Sequence, residues 1–280
     1  MPDLLAKRTA FRALHQSGCF VMPNPWDVGS ARALAQLGFP ALATTSAGFG
    51  FSHGLPDTPT ALGLESVLGH VARIVRATDL PVNADFQAGY GARPPDVAAN
   101  VRRCGETGVA GLSIEDTTGE AHRPLYALDE AVERVHAARV ALDSSGQDVL
   151  LTARAECFLV GHEDPLGESV KRLQAYAQVG ADVLFAPGVR RAQDIRALVE
   201  ALAPKPVNVL VGADIGLTLS DLAELGVRRV SVGSALARAA WGAFLRAAGQ
   251  IASEGSFAAL DAAASFAELN AMFDQRSGAS

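Results

Sequence analysis

Three stretches of the chain each deliver charged side chains at or just past the end of an apolar run: "NADFQAGYG" (Asn83 to Gly91), "SIEDTTGE" (Ser113 to Glu120) and "TARAE" (Thr152 to Glu156). Side chains two apart on a strand point the same way, so Asp85 shares its direction with Gln87, and Arg154 with Glu156. Asp57, behind the turn-like "HGLP" of His53 to Pro56, and Asn208, within another apolar run, are further candidates. Carboxylates gathered at one rim repel one another unless a cation sits among them, and hard oxygen donors suit Mg²⁺ or Mn²⁺ better than zinc. The planar fork of Arg154 suits a substrate carboxylate. The small residues Thr44, Thr45, Ser46, Ala47 and Gly48 let backbone N–H groups come close to an anion. Together these groups describe a site for a small polyanion. Taken singly, each acid also reads as a solvated loop carboxylate or a helix N-cap, and Arg154 as a structural ion pair with Glu115 or Glu156.

The elements that would bring these residues together follow from the rhythm of the chain. Eight β-rich runs stand out: Phe20 to Met22, Pro40 to Ser46, Pro81 to Phe86, Gly111 to Asp116, Val149 to Arg154, Val183 to Pro187, Pro206 to Gly212 and Arg229 to Gly233. Between most of them the apolar residues recur at helical spacing, as in Val67, Val71, Ile74 and Val75, or Leu166, Val170, Leu173 and Ala177. Glycines at positions 38, 108, 180 and 226, each just before a strand, read as helix C-caps. Eight alternating units predict an α/β fold, a closed (β/α)8 barrel of the TIM type, with an open doubly wound sheet as the alternative. In such a barrel the polar residues above lie at the C-terminal strand ends, where chemistry is done. No Pro-, Gly- or Ser-rich linker divides the chain, so residues 1–280 read as a single domain. Residues from about 234 to 280 form a helical C-terminal extension, with stretches at Ser234 to Ala252 and Phe257 to Met272. This tail exceeds what barrel closure needs and is expected to pack elsewhere, on another subunit.

With 280 residues, 49% of them hydrophobic, the chain can bury a full core. A net charge of -6 argues against nucleic acid or an anionic membrane as partner. Cys19, Cys104 and Cys157 form no CxxC pair, so neither a disulfide framework nor a structural zinc site is predicted. No leader-like or membrane-spanning stretch is evident, and the expectation is a soluble, cytoplasmic protein.

The chain resembles the isocitrate lyase/phosphoenolpyruvate mutase superfamily over nearly its whole length. The resemblance rests on "PNPWDVGSARAL" (Pro23 to Leu34), "ATTSAGFG" (Ala43 to Gly50), "ADFQAGYG", "SIEDTTGE" and "TARAE", in that order. It implies a barrel whose last helix is often exchanged between subunits, a homodimer or homotetramer, and a Mg²⁺-dependent site for small 2-oxo or 2-hydroxy acids. Carried over by residue, it implies Asp85 as the direct metal ligand, with Asp57 and Glu115 holding metal-bound waters. Ser46, Ala47 and Gly48 would grip a substrate carboxylate and Arg154 would contact substrate oxygens; Thr45 and Asn208, read from their strand ends, join them as substrate-binding candidates. Gln87 stands where many members carry an acid; an amide still reaches a metal-bound water, with one negative charge fewer.

Other departures narrow the chemistry. The lyase branch carries a basic loop with a cysteine after the fourth strand, whereas Thr117 to Pro124 here has none, and a mutase-type asparagine is missing too. Arg102 to Glu106 imitates that loop but precedes the fourth strand, so Cys104 reads as a buried or helix-end thiol. Cys157 is better placed but precedes an apolar run, and Pro187 stands where lyases often have glutamate. His122, in the loop after the fourth strand, is the leading histidine for proton transfer, ahead of His53 and His162. The function that fits is a metal-dependent carbon–carbon lyase working through a stabilised enolate, with oxaloacetate-type decarboxylation favoured because it needs no cysteine acid. The alternatives are cleavage of a 2-hydroxy diacid, phosphonate chemistry, or a protein that binds a 2-oxo dicarboxylate without turning it over.

Overall fold

The computed structural model describes residues 3–274, so the first two residues and the last six of the expected 234–280 extension lie outside the described residues. Among the described residues, ten strands and eleven α-helices follow in chain order. They are α1 (Leu4–Leu14), β1 (Phe20–Met22), α2 (Val28–Gln36), β2 (Leu42–Ala43), α3 (Ser46–Ser52), α4 (Leu64–Ala77), β3 (Val82–Asp85), α5 (Pro94–Glu106) and β4 (Gly111–Glu115). A hairpin of β5 (Thr117–Glu120) and β6 (Arg123–Leu125) comes next, then α6 (Leu128–Ser144), β7 (Leu150–Arg154), α7 (Pro165–Gln178), β8 (Val183–Phe185), α8 (Ala192–Leu202), β9 (Val207–Leu210), α9 (Leu219–Glu224) and β10 (Arg229–Ser231). The chain ends in α10 (Ala235–Glu254), a short 3₁₀ turn (Ala258–Ala262) and α11 (Phe266–Asp274).

Eight parallel strands hydrogen-bond in the order β1-β10-β9-β8-β7-β4-β3-β2. Between the two ends of that order, the Ala43 N–H donates to the Pro23 carbonyl at 3.0 Å, which nearly closes the sheet into a barrel. All eight expected strands are present, and the α/β barrel is the fold. The helix-ending glycines behave as expected: Gly38 and Gly180 have φ of +83° and +105°, a region that costs a side-chain-bearing residue strain. The faces of α4 and α7 named above from their spacing do turn inward, with Val71, Ile74 and Leu173 fully buried.

Helix α1, absent from the strand-and-helix reading, stoppers the barrel at its N-terminal end. Its Phe11 is fully buried against Phe20, Met22, Ala43 and Leu150. Gly111, at the start of β4, makes room for it: a Cβ there would stand 2.7 Å from the Phe11 ring. His15, one turn on, packs edge-on to Phe11 and Phe20 and is held neutral, because burial and then the charge of Arg229 push its pKa down to about 3. His70, stacked on Phe49 at 3.8 Å, is likewise lowered to about 4 by burial. Both groups bind a proton in the unfolded chain more readily than in the folded one. Their contribution is therefore complete above about pH 6.5 and is lost as pH falls toward the folded values. Replacing His15 by glutamine, which keeps an acceptor, should flatten the fall in stability between pH 6 and pH 4 by about 1.4 kcal/mol per pH unit. Urea melts at three pH values check this; an unchanged slope contradicts a buried neutral His15.

The tail leaves a broad apolar surface. On α10 only Ala237 is buried, while Phe244, Leu245, Phe257 and Phe266 stand from 57% to 90% exposed. The second helical stretch is not continuous, since the 3₁₀ turn and residues 263–265 divide it. Among the described residues no helix is long and apolar enough to cross a membrane.

Candidate active site

At the C-terminal mouth of the barrel a cavity of about 490 Å³ is lined by Asp57, Asp85, Gln87, Glu115 and Arg154. Strand geometry puts them there. Register pairs Asp85 with Ser113 and Glu115 with Arg154, so the inward residues of β3, β4 and β7 end on one rim. Asp116, the residue just after β4, points the opposite way and anchors the scaffold. Its carboxylate accepts from Glu156 N–H at 2.9 Å, Arg172 Nη1 at 3.1 Å and Tyr176 Oη at 2.7 Å.

Arg154 is the hub of the rim. Its Nη1 donates to Asp85 Oδ1 at 2.9 Å and lies 3.1 Å from Glu115 Oε2, while Nε and Nη2 approach Glu156 Oε1 at 2.9 and 2.8 Å. The Phe185 ring backs the guanidinium, 5.2 Å from its centre. Glu156, singled out from sequence only as a neighbour of Arg154, is thus part of the cluster. Three half-buried or buried carboxylates share one cation, and Asp57 adds a fourth nearby. The excess of negative charge shows in the acids themselves. Burial first, and then Glu156 and Asp85, push Glu115 up to about 8 against the pull of Arg154, and Asp57 is raised by partial burial and the charge of Asp85.

The donor set meets the chemistry of a hard cation in a specific way. Asp85 Oδ2 accepts from both the Ser46 N–H and the Ser46 hydroxyl, each at 2.9 Å, while Oδ1 accepts from Arg154 alone and keeps an acceptor direction open. Gln87 Oε1 is buried with no partner. Among the described residues no three His, Cys, Asp or Glu side chains group closely enough to enclose an ion. Such a set fits Mg²⁺, which keeps most of its water and takes one or two protein carboxylates, and does not fit an all-protein cage.

The backbone at this rim is under strain. Gln87 and Tyr90 adopt φ of +42° and +53°, and each costs on the order of 1 kcal/mol. Arg134 holds the turn from behind, donating to the carbonyls of Ala88, Gly91 and Ala92 at 2.7 to 3.1 Å.

The remaining candidates separate. Thr45, Ser46 and Ala47 line the cavity, but Gly48 does not. Thr45 caps α3 by accepting from the Gly48 N–H at 3.2 Å, and the Ser46 N–H is held by Asp85, which leaves the Ala47 N–H as the uncommitted donor of that turn. Asn208 lines the cavity from β9, fully buried. His122 stands outside it, 83% exposed in the β5–β6 turn and 3.3 Å from Glu120. Cys104 is buried behind the sheet, and Cys157 is buried with its thiol pushed up to about 11. Arg229, on β10, lines the cavity too, although from sequence it stood out only as the start of a strand. Its signal was a charged residue opening a strand of the barrel wall.

Comparison with known proteins shows the family and the fold. The family described as phosphoenolpyruvate phosphomutase matches residues 11–252. The chain is 33% identical over 238 residues to an oxaloacetate decarboxylase of Paraburkholderia xenovorans, covering 82% of this chain and 75% of that one. A crystal structure from Burkholderia cenocepacia, of a protein provisionally assigned as a lyase/mutase, is 48% identical with a TM-score of 0.92 over 96% of both chains. Oxaloacetate acetylhydrolase in complex with its product oxalate is 27% identical with a TM-score of 0.83, over 95% of this chain and 93% of that one. The chain belongs to the phosphoenolpyruvate mutase/isocitrate lyase superfamily.

Proposed function

We propose that this protein is a Mg²⁺- or Mn²⁺-dependent carbon–carbon lyase acting on a small 2-oxo or 2-hydroxy carboxylic acid, with decarboxylation of an oxaloacetate-type substrate as the favoured reaction. One observation carries the proposal: Asp85 and Glu115 flank a single guanidinium nitrogen of Arg154 in a cavity whose acids outnumber its cations. Asp85 would hold the ion directly through Oδ1, and Asp57, Glu115 and Gln87 would hold its water. When bound, the ion supplies a Lewis acid for the negative charge that develops on the substrate's oxo oxygen as the bond breaks. Ser46 fixes the Asp85 carboxylate, and the Ala47 N–H is the donor offered to the substrate carboxylate. Arg154 keeps Asp85, Glu115 and Glu156 in place and has an Nη2 hydrogen to spare for a substrate oxygen. The exposed apolar face of α10 and the tail would be covered by a second copy in a homodimer or homotetramer.

The test is pyruvate formation from oxaloacetate with Mg²⁺ or Mn²⁺, with and without chelator, beside Glu115→Ala and a panel of 2-oxo and 2-hydroxy acids. Metal-dependent turnover above the Glu115→Ala background is the expected result. A second possibility is favoured by the exposed position of His122, which leaves no histidine in the cavity: the protein binds a 2-oxo dicarboxylate without turnover. Binding across the panel with no product would establish that instead. Gln87 offers an independent check. Gln87→Glu adds a charge where an acceptor now lacks a partner, and calorimetry should find Mg²⁺ bound about tenfold more tightly. Unchanged or weaker binding would remove Gln87 from the ion's water shell.

A further inference from the structure

Arg229 forms the floor of the cavity, and the chemistry above gives it no task. It is 1% exposed, yet it lines the same space as Asp85 and Arg154. From β10 its guanidinium crosses the barrel: Nε donates to Asn208 Oδ1 at 2.8 Å, Nη2 to Thr152 Oγ1 at 3.1 Å, and Nη1 meets His15 Nε2 at 3.3 Å. Two of these partners are set as acceptors by a second bond. The Asn208 amide donates to Ser231 Oγ at 3.0 Å, and His15 Nδ1 faces the Phe11 carbonyl at 2.8 Å, which leaves Nε2 to receive. None of the three carries a compensating negative charge. A guanidinium has five N–H groups, so one on each terminal nitrogen is left over.

A buried cation with no acid beside it is costly, and barrel interiors are ordinarily filled with branched apolar side chains. Among the described residues no carboxylate offsets Arg229, and burial alone pulls its pKa down, to about 9. The rim is the reverse case. The charge of Arg154 is taken up by Asp85, Glu115 and Glu156, so of the two arginines lining the cavity only Arg229 has no acid on it. Thr152 precedes Arg154 by two residues on β7, which puts the floor about 7 Å below the rim. A ligand that spans the two levels meets metal-binding acids at one end and an unopposed cation at the other.

The geometry points to Arg229, oriented by Asn208, Thr152 and His15, as the seat of a second, distal carboxylate, so that the substrate is a short-chain dicarboxylate whose oxo-acid end lies at Asp85. This assignment rests on the oxo-acid function proposed above, and its test separates the two. Calorimetry on the full-length protein with saturating Mg²⁺ would compare 2-oxoglutarate with 2-oxovalerate, which has the same carbon count but a methyl end, and with succinate, which lacks the oxo group. The unmodified protein should prefer 2-oxoglutarate to 2-oxovalerate at least tenfold. Arg229→Gln should weaken 2-oxoglutarate on the order of a hundredfold and leave 2-oxovalerate within about twofold, with Arg229→Lys in between. Equal affinity for the two oxo acids in the unmodified protein, or equal losses in the variants, overturns the assignment and makes Arg229 a structural plug. Should Arg229→Gln not fold, the preference of the unmodified protein and the loss in Arg229→Lys still decide. If the oxo acids show no Mg²⁺-dependent binding while succinate binds and depends on Arg229, the floor site stands and the oxo-acid function falls. If none of the three binds, the floor site falls as well.

Discussion

Asp85→Asn is expected to lower metal-dependent kcat/KM by about three orders of magnitude, the scale on which a single electrostatic contributor to a developing oxyanion acts, or somewhat above it. Asparagine is nearly isosteric. It keeps an oxygen for the Ser46 N–H and hydroxyl, and Arg154 retains Glu115 and Glu156. What is lost is one negative charge in the direction of the open acceptor, together with the acceptor of Arg154 Nη1, because the amide N–H takes that place. Repulsion among the rim acids falls at the same time and offsets that lost bond, so the metal-free variant should melt close to the parent. The parent should be stabilised by added Mg²⁺ and the variant should not, because an ion that binds only the folded state raises its melting temperature. Paired melts and steady-state rates check both halves. A variant that keeps more than a tenth of the activity, or the full Mg²⁺ shift, contradicts Asp85 as ligand.

Arg154→Met tests the rim as an electrostatic unit. The side chains of Asp85, Glu115 and Glu156 are between 6% and 17% exposed, and all three lean on this one cation. Removing it leaves buried charge uncompensated, a change that costs about 3–5 kcal/mol. The cost should depend on pH with a definite sign. Burial raises the pKa of Glu115 and of Glu156. A carboxyl whose folded value is raised contributes stability below its unfolded value, near 4.5 for glutamate, and that stability is lost as pH climbs through the folded value, about 8 for Glu115. With Arg154 gone the folded values rise further. Denaturant melts in chelator should therefore find the gap between parent and variant smaller at pH 5 than at pH 8. A gap that is equal at both, or larger at pH 5, would mean that Arg154 does not balance these acids. Turnover should be abolished with it.

The strands were legible because a parallel sheet covered by helices demands apolar, β-rich runs, and the helices between them end on glycines that tolerate positive φ. The rim was legible for a related reason: alternation along a strand carries Asp85, Glu115 and Arg154 inward wherever the strand ends. Helix α1 was not legible. Its buried face includes Lys7 and Arg8, which satisfy themselves on distant backbone oxygens, Lys7 on Thr78 at 2.7 Å and Arg8 on Val109 and Gly105 at 3.1 and 3.0 Å. No local pattern announces contacts 71 to 101 residues away. The β5–β6 hairpin carries Thr117, Thr118, Glu120 and Arg123 with no apolar alternation, so it read as a loop. Arg229 was hidden by its neighbour: of Arg228 and Arg229 one bonds outward to Gly18 and the other crosses the barrel, and only the register with Asn208 decides which. The break after residue 262 lies in an alanine-rich stretch with no glycine or proline to mark it.

The position and number of bound Mn²⁺ ions test the central claim most directly, through anomalous diffraction from crystals grown with Mn²⁺. One ion per chain is predicted, in direct contact with Asp85 Oδ1, with Asp57 and Glu115 reached through its waters, and with no ion in Asp85→Asn crystals. An ion held elsewhere, or none at the rim at saturating Mn²⁺, would contradict the account.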